Sequence, residues 1–274
     1  MSDPQRFGSF WTIQKLTAVE NYLQFFTTVL KNQKFKLCYI DAFSGSGNVT
    51  LKDGQVVDGS AMRALKYPFD AFYFFEKDTE RYNVLTENIN NRCSDMQNRI
   101  IIRNDDCNEL LQSIDAKNWL AEKWRGVIFL DPYAMQLSWS CLEKINNTKT
   151  FDVWYLFPFM AVNRNLFKDR NIPPMNREAL NKILGTADWE NEIYREPDQQ
   201  SLFGIDYEKT DVEGVKGYIV KRLGETFPTV APNPVLLRND NNAPLFLLCF
   251  AGSNPSKKAK ERALAGANHI LKHI

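Results

Sequence analysis

Residues 39–47 read Tyr-Ile-Asp-Ala-Phe-Ser-Gly-Ser-Gly, and the predicted architecture is built outward from them. The apolar run that starts at Lys36 and leads into this stretch is typical of a strand buried on both faces of a parallel sheet. Such a strand delivers Asp41 to the edge of the sheet, and the chain then turns sharply. Gly45 and Gly47 lack a Cβ, so the backbone of this turn can approach a ligand closely.

The composition is that of a globular chain of 274 residues, long enough to bury a substantial core. Lys and Arg total 34 against 33 Asp and Glu, so the chain lacks the basic excess of proteins that grip long nucleic acids. Its five cysteines are scattered and form no Cys-x-x-Cys pair, which favours reduced thiols in a cytoplasmic protein. With only two histidines, a metal site is not expected. Neither a membrane span nor a signal peptide is expected.

Strands and helices are predicted to alternate from Lys36 onward. The predicted strands are residues 36–43, 70–75, 99–103, 126–130 and 151–157, followed by closing strands at 235–238 and 245–251. This alternation predicts a Rossmann-like α/β fold with seven strands, in a mostly parallel sheet whose last strand is antiparallel. Ligands of such sheets bind beyond the carboxyl ends of the strands. The residues predicted to meet there are Asp41, Glu76, Asp106, Asp131 and Phe157.

The whole chain, residues 1–274, is predicted to form a single domain around this sheet. Apolar spacing from residue 12 to residue 30 predicts an amphipathic helix, so residues 1–34 form an N-terminal helical cover. Lys15 on this helix lies either over an edge of the sheet or near the ligand. Residues 159–211 are polar and weakly periodic, and we expect an inserted lid or a substrate-recognition segment. Ser60 is a candidate cap for a short helix.

The acidic residues at successive strand ends suggest a ligand with adenosine at one end. Glu76 suits the ribose, because a carboxylate accepts hydrogen bonds from two hydroxyls at once. Asp106, or its neighbour Asp105, could accept from the adenine amine. Each acidic residue taken alone is more simply interpreted as a solvated residue at a strand end. Only their occurrence at the ends of successive strands indicates a nucleotide site. The turn at residues 45–47 lacks the Gly-Lys-Ser/Thr ending of a phosphate loop, which disfavours an NTPase.

Two positions favour S-adenosylmethionine over NAD as the ligand. The third glycine of the dinucleotide fingerprint would stand three residues after Gly47, where the chain has Thr50. Asp41 would repel the pyrophosphate that NAD places at this point, whereas S-adenosylmethionine brings a sulfonium and an ammonium. An NAD enzyme is therefore the least favoured interpretation.

The fourth strand ends in Asp131-Pro132-Tyr133, which resembles the Asp-Pro-Pro-Tyr motif of amino-group methyltransferases. The carboxylate of Asp131 would accept hydrogen bonds from an exocyclic amine and aim its lone pair at the methyl group. The ring of Tyr133 would stack on a base that is flipped out or presented on a single strand. Pro132 stiffens the turn. One proline of the motif is missing, so the loop is shorter here.

These segments together resemble class I S-adenosylmethionine-dependent methyltransferases, and more closely the three-Cys-motif partner protein family. The resemblance spans most of residues 10–165 and also rests on residues 11–16 (Trp-Thr-Ile-Gln-Lys-Leu), 152–158 and Asn163-Arg164. Ala134 stands where a glycine is common. The predicted site comprises catalytic Asp131, Pro132 and Tyr133; cofactor-binding Asp41, Phe43, Gly45, Gly47, Glu76, Asp106 and Cys107; and substrate-binding Lys15, Phe157 and Arg164.

The sequence therefore predicts an S-adenosylmethionine-dependent N-methyltransferase that acts on an exocyclic amine of a nucleobase in DNA or RNA. The family resemblance also implies association with a protein that bears three cysteines. The alternative is a binding module of methyltransferase fold that works through this three-cysteine partner.

Overall fold

The computed structural model describes residues 6–8, 10–168, 170–195 and 207–274. Its strands are β1 (Arg6–Gly8), β2 (Lys36–Asp41), β3 (Asn48–Leu51), β4 (Val56–Asp58), β5 (Ala71–Phe75), β6 (Ile100–Arg103), β7 (Trp124–Leu130), β8 (Phe151–Phe157), β9 (Tyr194–Arg195), β10 (Glu208–Lys209), β11 (Thr229–Val230), β12 (Val235–Arg238) and β13 (Pro244–Gly252). Its helices are α1 (Phe10–Leu30), α2 (Ser60–Ala64), α3 (Thr79–Arg92), α4 (Cys107–Gln112), α5 (Trp139–Asn147), α6 (Phe159–Asn165), α7 (Pro174–Leu184), α8 (Trp189–Ile193), α9 (Val212–Thr226) and α10 (Lys257–Lys272).

The central sheet has the strand order β6-β5-β2-β7-β8-β13, and β11 and β12 both pair with the outer side of β13. The strands β2, β5, β6, β7 and β8 are parallel, and β13 runs antiparallel to β8. The predicted Rossmann-like α/β fold with a mostly parallel sheet is thereby confirmed, including the antiparallel strand near its end. The edge position beside β13 is occupied by two short strands instead of one.

The register of β2 brings the strand ends together at one edge of the sheet. Asp41 lies opposite Phe74 of β5 and opposite Phe129 of β7. All residues of β2 after Lys36 are buried, as expected for a strand covered on both faces. The loops that follow β2, β5 and β7 therefore leave the sheet side by side.

Two apolar layers cover the sheet, one on each face. Successive residues of β8 point to opposite faces, so Trp154 packs in one layer and Tyr155 in the other. Helix α1 covers the Trp154 face, where the ring of Tyr22 meets the rings of Trp154 and Phe250 at centroid distances of 5.4 and 5.1 Å. This helix lies over the face of the sheet rather than along an edge.

Much of the segment predicted as a lid is packed into the core. Helices α6, α7 and α8 lie within it, and Leu180, Leu184, Trp189 and Ile193 are fully buried in the Tyr155 layer. Residues 169 and 196–206 lie outside the described part of the chain. A role for residues 159–211 in substrate recognition stays a prediction.

In the described part of the chain, no helix is both long enough and apolar enough to cross a membrane.

Gly126 tests the packing of β7, the strand that leads to Asp131. A Cβ on Gly126 would lie 2.6 Å from the ring of Phe151 and 2.7 Å from the Sγ of Cys38, and both side chains are fully buried. We expect Gly126→Ala to lower the free energy of unfolding by about 1–3 kcal/mol, because an overpacked core must shift to accept it. Urea denaturation measures this change.

The control for Gly126→Ala is Gly217→Ala in α9, where a Cβ would meet nothing within 4 Å. This change should stabilise the protein by about 0.5–1 kcal/mol through helix propensity. Equal effects of the two substitutions would contradict the packing described for β7.

Candidate active site

The turn after β2 requires its two glycines for different reasons. Both have positive φ angles, 60° at Gly45 and 81° at Gly47. A Cβ on Gly47 would lie 2.9 Å from Leu85, and its carbonyl accepts a hydrogen bond from Gly59 at 2.7 Å. A Cβ on Gly45 would instead project into space with no atom within 4 Å. Gly47 is therefore closed in by protein, whereas Gly45 borders an open approach to the turn.

Glu76, at the end of β5, holds this turn in place. Its carboxylate accepts the backbone N–H of Gly45 at 2.8 Å through Oε2 and that of Asp78 at 2.8 Å through Oε1. A carboxylate has about four lone-pair positions, so each oxygen can accept a further hydrogen bond. Glu76 thus lies against the glycine turn with acceptor capacity left for a ligand.

Asp41 is fully buried at the end of β2. Burial, with a smaller contribution from the nearby carboxylate of Asp131, raises the pKa of Asp41 to about 7, although hydrogen bonds from Ser60 and from the backbone of Phe43 oppose the rise. The N–H of Phe43 lies 3.3 Å from Oδ1, and the hydroxyl of Tyr39 lies 3.4 Å from Oδ2. A cation brought next to this carboxyl group would relieve the cost of ionising it.

Ser60 has a different role from the one predicted. The residue that precedes α2 is Gly59, and no side chain caps this helix. The hydroxyl of Ser60 is instead engaged with Asp41. Strands β3 and β4 form a hairpin, which places α2 beside the glycine turn. Sequence reasoning missed Ser60 because only the folded hairpin returns it to the first strand.

Asp106 caps α4 at the end of β6. Its Oδ1 accepts the backbone N–H of Asn108 at 2.8 Å, and its Oδ2 pairs with Lys77 at 2.9 Å. Partial burial tends to raise the pKa of Asp106, but these hydrogen bonds outweigh it and keep the pKa below its usual range. Cys107 is buried in the Tyr155 layer, where desolvation raises the pKa of its thiol.

Asp131, at the end of β7, forms an ion pair with Lys15 of α1. Lys15 is buried, with 8% of its surface exposed, and its ammonium lies 4.9 Å from the ring centroid of Trp11. Lys15 therefore lies beside the end of β7 and not over an edge of the sheet, and its role toward a ligand stays a prediction. Pro132 is buried, while Tyr133 is 65% exposed.

The loop that follows Asp131 is anchored by Asn108, which the sequence did not single out. The Asn108 side chain donates to the carbonyl of Gln136 at 3.0 Å and accepts the N–H of Ser138 at 2.8 Å. Ala134 in this loop has a φ of 53°, a left-handed conformation that explains why glycine suits this position.

Three other predicted residues are spread around this edge. Phe43 is partly buried against the Tyr155 layer. Phe157, predicted to contact the substrate, is fully buried at the end of β8, because both faces of this strand are covered. Phe157 packs in the Tyr155 layer of the core and has no exposed surface for a substrate. Arg164 is exposed on α6.

The described residues contain no cluster of three or more His, Cys, Asp or Glu side chains placed to hold a metal ion. All five cysteines are free thiols, and four of them are buried.

Comparison with solved structures supports the fold. Protein LPL1258 from Legionella pneumophila is similar with a TM-score of 0.51 and 14% identity, over 97% of this chain and 94% of that chain. The methyltransferase domain of the bacterial protein CtHen1-C aligns with a TM-score of 0.41 and 12% identity, over 85% of this chain and 98% of its own. Spermidine synthase from Thermotoga maritima aligns with a TM-score of 0.43 and 12% identity, over 90% of this chain and 61% of that chain.

At these identities the likeness to LPL1258 shows a shared fold, and the two weaker likenesses carry no argument. No family model matches the chain, and no curated protein matches it.

The buried carboxyl of Asp41 predicts a pH-dependent stability. Its pKa is about 7 in the folded protein and 3.8 in a model peptide, so the folded state holds this proton to a higher pH. The contribution of Asp41 to stability therefore falls as the pH rises through this window. We expect Asp41→Asn to raise the free energy of unfolding by about 2 kcal/mol at pH 8 and by much less at pH 5. Denaturation at both pH values measures this.

Asp152→Asn is the matched control for this prediction. Burial raises the pKa of Asp152 to about 7 as well, and Tyr22 donates to its carboxyl group at 2.8 Å, at the other end of the sheet. It should show the same pH dependence as Asp41→Asn. A stability gain for Asp41→Asn that is equal at pH 5 and pH 8 would contradict the assigned cause.

Proposed function

We propose that this protein is an S-adenosylmethionine-dependent methyltransferase that acts on an exocyclic amine of a nucleobase in DNA or RNA. The observation that carries the proposal is the contact of Glu76 with the glycine turn, beside the buried carboxyl of Asp41 on the neighbouring strand. A carboxylate with free acceptor positions suits a ribose diol, and a buried carboxyl next to it suits a cation. S-adenosylmethionine joins these two groups in one molecule.

The chemistry of the residues at the strand ends supports this cofactor. Glu76 would hold the ribose hydroxyls, and Gly45 borders the open space through which the ligand would pass. Asp41 would face the ammonium and sulfonium end. A pyrophosphate in the same place would meet the same carboxyl group and be repelled, which disfavours NAD. Asp106 would accept a hydrogen bond from the adenine amine. Its carboxylate would use the lone pairs that are not engaged by Asn108 and Lys77.

The reactive side of the site would be formed by Asp131, Pro132 and Tyr133. When bound, the cofactor supplies an electrophilic methyl group. Asp131 would accept a hydrogen bond from the substrate amine and so orient the nitrogen lone pair, which is catalysis by positioning. Pro132 is buried and fixes the turn, and the exposed ring of Tyr133 is available to stack on a base. Asp131 has no need to act as a strong base, because the amine can lose its proton after methylation.

The charges around the site favour a short or flexible nucleic acid over a long duplex. Arg170 and Arg177 both pair with Glu190, so these cations are committed within the protein. Arg164 and Lys168 are exposed on the segment next to the site. A patch of so few cations neutralises few phosphates, and affinity for long duplex DNA depends on many.

A groove between two helices is the observation that favours a second function. A groove of about 750 Å³ lies between α1 and α10, and its lining includes Phe10, Ile13 and Ile270. Phe10 is 75% exposed. Such an apolar surface is typical of protein–protein contacts. It supports the proposal of a binding module of methyltransferase fold that works with a three-cysteine partner.

Transfer of a tritiated methyl group from S-adenosylmethionine to mixed RNA, DNA and cell protein tests the enzyme proposal. We expect transfer to nucleic acid, and Asp131→Ala should lower its rate by about 100-fold, because the amine loses the acceptor that positions it. Calorimetry should show that this variant still binds S-adenosylhomocysteine with at least about one third of the wild-type affinity, because Asp131 is assigned to the substrate amine and not to the cofactor.

Asp95→Ala, a change at an exposed aspartate, is the matched control and should leave the rate unchanged. Equal rates for the wild type and Asp131→Ala would contradict the role given to Asp131. Cofactor binding without transfer to any substrate, together with co-purification of a three-cysteine protein, would favour the binding module instead.

A further inference from the structure

The ion pair of Lys15 and Asp131 joins the first helix to the carboxylate assigned to the substrate amine, across 116 residues of sequence. The two side chains are 11% and 21% exposed. Removing two charges from water to this extent costs free energy that the pairing only partly returns. Stabilisation of the folded protein by this ion pair is therefore a weak explanation for a lysine at position 15.

The pairing also conflicts with the proposed role of Asp131. The Lys15 ammonium holds Oδ2 and offsets the negative charge of Asp131, which weakens this carboxylate as an acceptor for the substrate amine. It also places a positive charge beside a site that has to admit a cationic sulfonium. Both conflicts disappear if Lys15 exchanges its acceptor when the cofactor binds.

The surroundings of Lys15 allow such an exchange. A lysine carries a compact charge on a flexible four-carbon stem, so its ammonium can move between acceptors without backbone motion. The ring of Trp11 lies 4.9 Å from the ammonium and is itself packed at 5.0 Å from the ring of Phe246. This aromatic face can hold the cation in either position.

We propose that Lys15 is a positioning residue that pairs with Asp131 until the cofactor binds and then pairs with the carboxylate of the cofactor's amino-acid end. This inference rests on the proposed function and adds to it the order in which the cofactor and the substrate bind. The electroneutral exchange leaves Asp131 free only after the cofactor is in place, so the amine substrate binds second. Lys15 thereby couples cofactor binding to the readiness of the substrate side.

Two ligands that differ by one carboxylate test the proposal by calorimetry. These are S-adenosylhomocysteine and its decarboxylated form, which keeps the ammonium. The wild type should bind the carboxylate form about 10–100-fold more tightly, as expected for one charged hydrogen bond. Lys15→Met should remove this preference and leave the affinity for the decarboxylated form within about threefold. Equal losses for both ligands would overturn the proposal.

Lys36→Met is the matched control, since Lys36 also lies over a tryptophan, at 5.4 Å from the Trp124 ring, but at the opposite end of β2. Lys36→Met should keep the wild-type preference for S-adenosylhomocysteine over its decarboxylated form. Absence of binding of both ligands to the wild type would instead refute the proposed function itself, so the two failures are distinguishable.

A second variant keeps the proposal testable if Lys15→Met fails to fold. Asp131→Asn removes the negative charge that competes for Lys15, so it should tighten S-adenosylhomocysteine by roughly 3–10-fold and leave its decarboxylated form unchanged. Weaker binding of S-adenosylhomocysteine, or an equal gain for both ligands, would overturn the exchange.

Discussion

The burial of the Asp41 carboxyl group, next to the carboxylate of Asp131, is the constraint on which the candidate site depends. The pairing of β2 with β7 sets both residues at neighbouring strand ends, so the sheet itself prevents them from separating. Lys15 offsets the charge of Asp131, and Ser60 donates to Asp41, yet burial still raises the pKa of Asp41 to about 7. A site built in this way favours a ligand that brings positive charge to it.

The groups that manage this charge come from parts of the chain that are far apart in sequence. Helix α1 brings Lys15, the glycine turn is held by Glu76 from β5, and Asn108 at the start of α4 anchors the loop after Asp131. Each contact involves a side chain and a strand end or a backbone amide fixed by the fold. The N-terminal helix is therefore part of the site as well as a cover for the sheet.

The fold could be predicted because its signals are local. The buried strands and the glycine turn formed close to the predicted residues, and the strand ends met at one edge as parallel pairing requires. The partners of Lys15 and Ser60 could not be predicted, since both meet residues that only the finished sheet brings near. Phe157 was placed at the substrate because it ends a strand, but a strand covered on both faces hides its last residue as well. The role of Asn108 could not be predicted either, because its partners lie in the loop after β7, which only the folded chain brings next to α4.

A crystal structure of the protein with S-adenosylhomocysteine tests the central claim most directly. The account predicts the ribose hydroxyls within hydrogen-bonding distance of Glu76 and the amino-acid end between Asp41 and Lys15. Binding of the nucleoside in the groove between α1 and α10, or no binding at millimolar concentration, would contradict it.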